Sequence, residues 1–474
     1  MNRMLISAAH KSSGKTVVSL GLCAAFAGRG LAVQPFKKGP DYIDPMWLGR
    51  AARRACHNVD FHTMSSAEIR STFSNHAADL AIVEGTKGLY DGVDPEGADS
   101  NAALARMLGL PVILVLDTRG VTRGIAPLLL GYRSFDERVQ IAGVILNQVG
   151  GPRHEDKLRA AVERYTDVPV LGALQHDSSL RIIERHLGLM PSNEHENCDA
   201  AIQRIAEAVA SQVDLDSVLD VASHAPLLAP VTDALNEPAP RAPDVRIGIA
   251  RDAAFGFYYA DDIDAMARAG AELICIDTLH DSALPDVDAV FIGGGFPEMQ
   301  VEALATNTSL HAAIRRFVDD GRPVYAECGG LMYLARSLTW QGQSHDMVGA
   351  IPADVVMQSD PQGRGYVRLR ETGIGPWPVL DPDRHAHEIA AHEFHYSSLQ
   401  NLGPQIGFAY DVLRGHGMDG RRDGLVYKNV FASYAHLRDT QSNPWTRRFV
   451  AHVRRLKRAS TPVLADVAAM SQAR

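Results

Sequence analysis

Met4-Leu-Ile-Ser-Ala-Ala-His-Lys-Ser-Ser-Gly-Lys-Thr16 sets the fold of the first half of the chain. An apolar run ends in small residues, and Gly14-Lys15-Thr16 then opens an amphipathic helix through Val17, Val18, Leu20, Leu22, Ala24 and Ala25. This strand, turn and helix layout is that of a phosphate-binding loop. Backbone N–H groups at a helix N-terminus face anionic oxygens. A lysine there reaches the terminal phosphates, and a threonine hydroxyl suits Mg²⁺. Ser13, Gly14, Lys15 and Thr16 are therefore the candidate ATP-binding residues, although Ala9 stands where the motif has its first glycine. A Gly-Lys-Thr that only starts a helix is the plainer alternative. The extra lysine of deviant phosphate loops belongs five residues before Lys15, and His10 occupies that place.

Apolar runs recur at 31–36, 79–84, 111–117, 141–146 and 168–172, with helical patterns over 100–108 and 154–165. Alternating strands and helices predict a doubly wound parallel sheet, whose ligands bind beyond the carboxyl ends of the strands. Three polar groups sit at such ends. Phe36-Lys-Lys-Gly-Pro-Asp-Tyr-Ile-Asp-Pro45 crowds Lys37 and Lys38 with Asp41 and Asp44, which reads either as phosphate or carboxylate cations beside Mg²⁺ ligands or as a charged surface loop. Glu84, followed by Gly85-Thr-Lys-Gly-Leu-Tyr-Asp-Gly92, is placed to hold Mg²⁺ or orient water, with a capping role as the alternative. Asn147 ends a strand, where asparagine is usually a turn former.

The chain has 474 residues, room for two or three domains. Its 47 Lys and Arg against 56 Asp and Glu give a net charge of −9, which argues against nucleic acid as a partner. Five cysteines, Cys23, Cys56, Cys198, Cys275 and Cys328, show no paired spacing and suit a reducing compartment. No apolar run approaches the ~20 residues of a membrane span and no signal peptide precedes the first strand, so the expected location is cytoplasmic with no membrane partner.

From about Asp214 the periodicity is lost, and Pro230, Pro238, Pro240 and Pro243 mark an extended connection. The expected division is therefore 1–213, a linker at 214–244, and a second α/β domain at 245–458, starting with Val245-Arg-Ile-Gly-Ile-Ala250 and leaving a frayed tail that closes in Met470–Arg474. In the second domain, Pro323-Val-Tyr-Ala-Glu-Cys-Gly-Gly-Leu331 runs a strand into Cys328, a two-glycine turn and a helix. A thiol on such an elbow is activated by the helix N-terminus and faces backbone donors for an oxyanion. A lone cysteine would otherwise read as a buried structural residue. Its candidate base is His436 in Ser433-Tyr-Ala-His436.

Ala8-Ala9 with Ser13-Gly-Lys-Thr16, Gln34-Pro-Phe-Lys37, Gly39-Pro-Asp-Tyr-Ile-Asp-Pro45, Glu84-Gly85 and Gly88-Leu-Tyr-Asp-Gly92 resemble the cobyrinic acid a,c-diamide synthase family. The N-terminal domain of that family is similar to dethiobiotin synthetase. The resemblance implies ATP and Mg²⁺ as cofactors, a tetrapyrrole polycarboxylate as substrate and amide products. It places Lys15 and Thr16 on the nucleotide, Thr16, Asp44 and Glu84 near Mg²⁺, Asn147 toward adenine, and Tyr42 and Asp91 toward substrate carboxylates; by their charge, Lys37, Lys38 and Lys87 are further substrate-binding candidates. Thr86-Lys87 and Lys38 depart from the family's apolar residues. They raise siroheme or a sirohydrochlorin-type macrocycle as alternatives to cobyrinic or hydrogenobyrinic acid.

The elbow and His436 resemble class I glutamine amidotransferases, with L-glutamine as nitrogen donor and a flavodoxin-like α/β domain. The same likeness implies that Gly294, Gly295 and Gly329 line the oxyanion pocket. Full triads of that class have Glu two residues after the histidine. Arg438 holds that place here, which leaves a dyad or another orienting group. The run His385-Ala-His-Glu-Ile-Ala-Ala-His-Glu-Phe-His395 lacks the i, i+4 spacing of a zinc helix and alternates like a strand, so it reads as structural or as part of an interdomain path. Other classes stay open: a glutamine-hydrolysing regulatory or binding protein without ligase chemistry, or an ATP-driven sorting protein. A homodimer is a candidate assembly.

Overall fold

Asn2–Ala8 lies in the middle of a seven-stranded sheet ordered His57–Val59, Val33–Lys38, Leu80–Glu84, Asn2–Ala8, Val112–Asp117, Ile141–Val149, Val170–Gln175. Every pairing in it is parallel. Such strands are covered on both faces, which is why they read as near-continuous apolar runs. Alternation divides the first strand between two cores. Met4, Ile6 and Ala8 pack with Val18, Leu22 and Phe26 of the helix Lys15–Gly28, while Leu5 packs with Val83, Leu104 and Leu108 on the opposite face. Each such side chain withdrawn from water contributes roughly 1.5–3 kcal/mol. All strands therefore end on one edge, and Thr16, Lys38, Glu84 and Asn147 gather there.

The computed structural model describes residues 1–76, 78–185, 188–195, 197–228, 239–378 and 387–460. The chain divides into two units, Met1–Asn236 and Glu237–Arg474. Part of the stretch read as linker is helical: Leu215–Ser223 forms a helix whose Leu215, Val218 and Ala222 join the core of the first unit. Asp214 caps it by accepting from the backbone N–H groups of Asp216 and Ser217. Residues 229–238, His385 and the tail Met470–Arg474 lie outside the described residues. Among the described residues, no helix is long and apolar enough to cross a membrane.

The second unit has a nine-stranded sheet. Its parallel part runs Ala271–Ile276, Val245–Ala250, Ala289–Ile292, Val324–Glu327, Val430–Ser433, the 2-1-3-4-5 order of a flavodoxin-like sheet. An antiparallel wing of Arg422–Tyr427, Gly407–Arg414, Gly363–Glu371 and Glu388–His395 continues it. The His-rich segment is thus the edge strand of this wing. A separate four-stranded sheet joins Gln343–Asp346, Ser337–Trp340, Asp354–Met357 and Ser397–Gln400.

The helix that starts at Lys15 packs against Cys198–Gln212 so closely that a Cβ on Gly21 would lie 2.3 Å from Val209 Cγ2. Gly21→Leu is therefore expected to destabilise by about 1–3 kcal/mol, seen as a fall of several degrees in the thermal midpoint of the full chain. Gly28, where an added Cβ would meet nothing within 4 Å, is the internal comparison: Gly28→Ala should hold or raise stability by up to ~1 kcal/mol.

Candidate active sites

The phosphate-loop turn is held from below. Gly14 adopts φ 88° as the N-cap of the first helix, and a Cβ there would lie 2.0 Å from Asn147 Nδ2. Only glycine fits both constraints. The Asn147 amide donates to the Ser13 carbonyl at 2.9 Å, Ser13 Oγ donates to the His10 carbonyl at 2.8 Å, and the Tyr132 hydroxyl donates to the Ala9 carbonyl. The buried Asn147 amide thus has a place in bracing the loop.

Beyond the loop, four expected residues meet. Thr16 Oγ1 donates to Glu84 Oε1 at 3.0 Å. Lys37 Nζ lies 2.7 Å from the same oxygen and 2.5 Å from Asp44 Oδ2. Burial works against the Lys37 charge, but Asp44 and Glu84 hold its pKa well above the ordinary lysine value. Burial also pushes Asp44 up, and Lys37 outweighs this to bring it below the usual carboxylate range. Glu84 is raised by burial, partly offset by Lys37, and Lys15 is lowered by burial. Lys37, read from sequence as a substrate cation, is instead enclosed between two carboxylates with 3% exposure. Glu84 Oε2 is buried without a hydrogen-bond partner among the described residues. An unsatisfied carboxylate oxygen beside a second carboxylate and a hydroxyl is the hard oxygen set that suits Mg²⁺, so the residues present fit that ion.

The remaining substrate candidates separate by burial. Tyr42 is buried at the start of the helix Ile43–Ala52. Asp91 is exposed and accepts from the Gly88 N–H at 2.9 Å. Lys87 is exposed with φ 58°. Lys38 is different: only 8% exposed, its ammonium makes no hydrogen bond or ion pair within 4 Å among the described residues. Burial lowers its pKa, and Asp99 and Asp60 only partly counter this.

In the second unit, Cys328 leaves the strand Val324–Glu327 with φ 46°, ψ −103° and serves as N-cap of the helix Gly329–Leu334. A Cβ on Gly330 would lie 2.1 Å from the Ile292 carbonyl oxygen, and one on Gly329 would lie 3.1 Å from Gly295 N. A Cβ on Gly294 would lie 2.7 Å from His436 Cε1. Gly294, Gly295 and Gly329, together with Cys328 and His436, thus share one small volume. His436 is buried, and burial opposes its charge. Hydrogen bonds to Cys328 and Glu327 overcome this and raise its pKa to about 10.

Sequence reasoning missed the neighbours of His436. Glu327 Oε2 is 3.3 Å from His436 Nδ1. The His392 ring stacks on His436 with centroids 4.9 Å apart and planes at 16°, and the His436 N–H donates to the His392 carbonyl at 2.8 Å. Arg438 turns away, donating to Asp261 Oδ2 at 2.6 Å with its guanidinium over the Tyr259 ring. The other wing residues are also engaged. Glu393 accepts the His416 and Gly417 N–H groups, each at 2.7 Å, and His395 stacks on Tyr434 with centroids 3.8 Å apart. His387 Nε2 is 2.7 Å from the Ser442 carbonyl. The alternation of the His-rich strand through Glu393 and His395 was a readable signal for the buried His395 ring; His392 falls out of that alternation, and nothing in the order of residues announced that it would lie against His436.

A raised histidine pKa means that the stability held in this contact is fully present below about pH 6.5 and is lost as pH rises to about 10. Removing the imidazole takes away the group that accepts the thiol proton and activates the sulfur. In His436→Asn, alkylation of Cys328 by iodoacetamide, followed by peptide mass mapping, should slow at least about tenfold at pH 7 and recover only at alkaline pH. An unchanged rate and pH midpoint would separate the two side chains.

Comparison with known proteins accords with this two-part layout. Residues 246–444 match a CobB/CobQ-like glutamine amidotransferase domain, and residues 2–182 match an AAA domain. The chain is 45% identical over 449 residues to cobyrinate a,c-diamide synthase of Magnetococcus marinus, covering 94% of this chain and 95% of that protein. It is 40% identical over 466 residues to the enzyme of that name from Methanosarcina acetivorans, covering 92% of each. For that from Archaeoglobus fulgidus the identity is 40% over 451 residues, covering 94% and 96%. With that extent of identity joined to an ATP-type loop in one unit and a cysteine elbow in the other, the chain belongs to the cobyrinate a,c-diamide synthase family.

Proposed function

We propose that the chain uses ATP and glutamine to convert the a and c acetate carboxylates of cobyrinic acid, or of hydrogenobyrinic acid, to amides. The observation that carries this reading is the presence of two complete constellations in one chain of family length: Lys15, Thr16 and Glu84 in one unit, Cys328 and His436 in the other. A glutamine-hydrolysing regulatory protein would have no use for the first constellation, and an ATP-driven sorting protein would have none for the second.

In the second unit, the Cys328 thiolate attacks the side-chain amide carbon of glutamine. The oxyanion that forms is met by backbone N–H groups among Gly294, Gly295 and Gly329. His436, protonated, gives its proton to the departing nitrogen, and ammonia leaves a thioester that water cleaves to glutamate. In the first unit, the backbone around Ser13 and Gly14 and the Lys15 ammonium hold the ATP phosphates. A substrate carboxylate oxygen attacks the γ-phosphorus, ADP leaves, and ammonia displaces phosphate from the resulting acyl phosphate. Thr16, Asp44 and Glu84 would hold Mg²⁺, which when bound neutralises phosphate charge. Lys37 favours the ionised forms of Asp44 and Glu84 and fixes both side chains.

Tyr42, Asp91, Lys38 and Lys87 are assigned to the macrocycle side of this site. Lys38 has the strongest claim, since a buried cation without a close counterion gains by meeting a substrate carboxylate. The same chemistry on siroheme or a sirohydrochlorin-type ring rests on Lys38 and Lys87 alone. The first and second units are assigned to carboxylate activation and glutamine hydrolysis respectively, in a cytoplasmic enzyme.

Cys328→Ala should abolish glutamine-dependent amidation and spare amidation with ammonium salts, whereas Lys15→Ala should lose both and keep glutamine hydrolysis. Glutamine hydrolysis at the wild-type rate in the first variant, or ATP-dependent product in the second, would overturn the respective assignment. Lys38→Met should raise KM for the macrocycle about ten- to a hundredfold, with KM for ATP and glutamine held within about threefold. A KM unchanged from wild type for each of cobyrinic acid, hydrogenobyrinic acid, sirohydrochlorin and siroheme would return Lys38 to a structural role.

A further inference from the structure

The residue immediately before the nucleophile carries a carboxylate that faces the histidine. Glu327 is the last residue of the strand Val324–Glu327 and pairs in register with Ser433, three residues before His436. Its Oε2 is 3.3 Å from His436 Nδ1. Its Oε1 accepts from the Leu437 N–H at 3.0 Å and from the Tyr325 hydroxyl at 2.6 Å. Tyr325 and Glu327 lie two apart on one strand face, so the hydroxyl and the carboxylate meet by strand geometry. The group is 3% exposed, and each of its oxygens has a donor.

We propose that Glu327 is the positioning residue of the glutaminase centre, holding Nδ1 of His436 so that Nε2 serves the Cys328 thiol. It takes the role that a Glu at the position of Arg438 would have in a full triad. Adjacent residues thereby supply both ends of one imidazole: strand direction sends Glu327 to Nδ1, and the reversed backbone at Cys328 sends the thiol to the other side. A carboxylate on Nδ1 fixes the tautomer and stabilises the imidazolium that forms. Arg438 is committed to Asp261 and does not compete. The inference rests on the glutamine-hydrolysing reading of this site, but its geometry and its test do not need glutamine.

The titratable groups around the pair are Cys328, the stacked His392, Tyr325, Tyr258, Tyr410 and Asp262. Removing the Glu327 charge makes the imidazolium, and with it the thiolate, less favourable. In full-length Glu327→Gln, iodoacetamide alkylation mapped to Cys328 should therefore fall at least about tenfold at pH 7, with its midpoint moved to higher pH. Glutamine kcat should drop by roughly 10²–10⁴ with little change in KM, and ammonium-dependent amidation should hold. Glu327→Asp, which keeps the charge, should recover part of both losses and restore the midpoint. An unmoved alkylation midpoint in Glu327→Gln overturns the proposal, as does an equal loss in the Gln and Asp variants, which would mark Glu327 as packing only. A moved midpoint in a protein whose wild type fails to hydrolyse glutamine would support the positioning role and count against the functional reading instead.

Discussion

A charge taken out of water costs several kcal/mol unless an opposite charge and hydrogen bonds meet it, and both sites of this chain are organised by that constraint. In the first unit, Lys37 is fixed by Asp44 and Glu84, and Glu84 in turn by Thr16. Breaking one member leaves the others buried and uncompensated. In the second unit, His436 is charged at the cost of its own burial because Cys328 and Glu327 face it. The residues that do chemistry are therefore also those that fix the local structure, and neither site can be loosened without exposing an unmatched ion.

Backbone shape follows the same need for closeness. Cys328 at φ 46°, ψ −103° carries strain of order 1–3 kcal/mol, tolerated because Gly329 and Gly330 let the turn lie against Gly295 and Ile292. The antiparallel wing adds a wall: His392 stacks on His436 and exchanges backbone hydrogen bonds with it. Farther along, Glu393 and His395 tie the wing to Gly417 and Tyr434. The His-rich strand is thus read as scaffold for the base.

Much of this was legible in the residues. The runs at 31–36, 79–84, 111–117 and 141–146 reported strands because a sheet covered on both faces imposes continuous apolarity. The phosphate loop and the cysteine elbow were legible because each needs glycine at a fixed place. Leu215–Ser223 was not read as a helix, since its nine residues are too few to show a clear period and the proline-rich stretch beyond it dominates the pattern. The three-residue strand His57–Val59 is too short to show a period. Lys37 and Asn147 lie at the expected edge of the sheet, but sequence does not show which of several nearby polar groups will meet: Lys37 meets Asp44 and Glu84, and Asn147 the Ser13 carbonyl. Glu327 was overlooked for a related reason: a strand residue next to a conspicuous cysteine reads as framework, and its partner lies 109 residues away.

The central claim is that nitrogen released from glutamine at one site becomes amide on a carboxylate activated by ATP at the other. The most direct measurement is mass spectrometry of the macrocycle after incubating the full chain with cobyrinic acid, ATP, Mg²⁺ and glutamine labelled with ¹⁵N in its side-chain amide. The account predicts a product carrying two labelled amides, formed with release of ADP and phosphate. Unlabelled product, or release of labelled ammonia with the macrocycle unchanged while ATP is present, would contradict it.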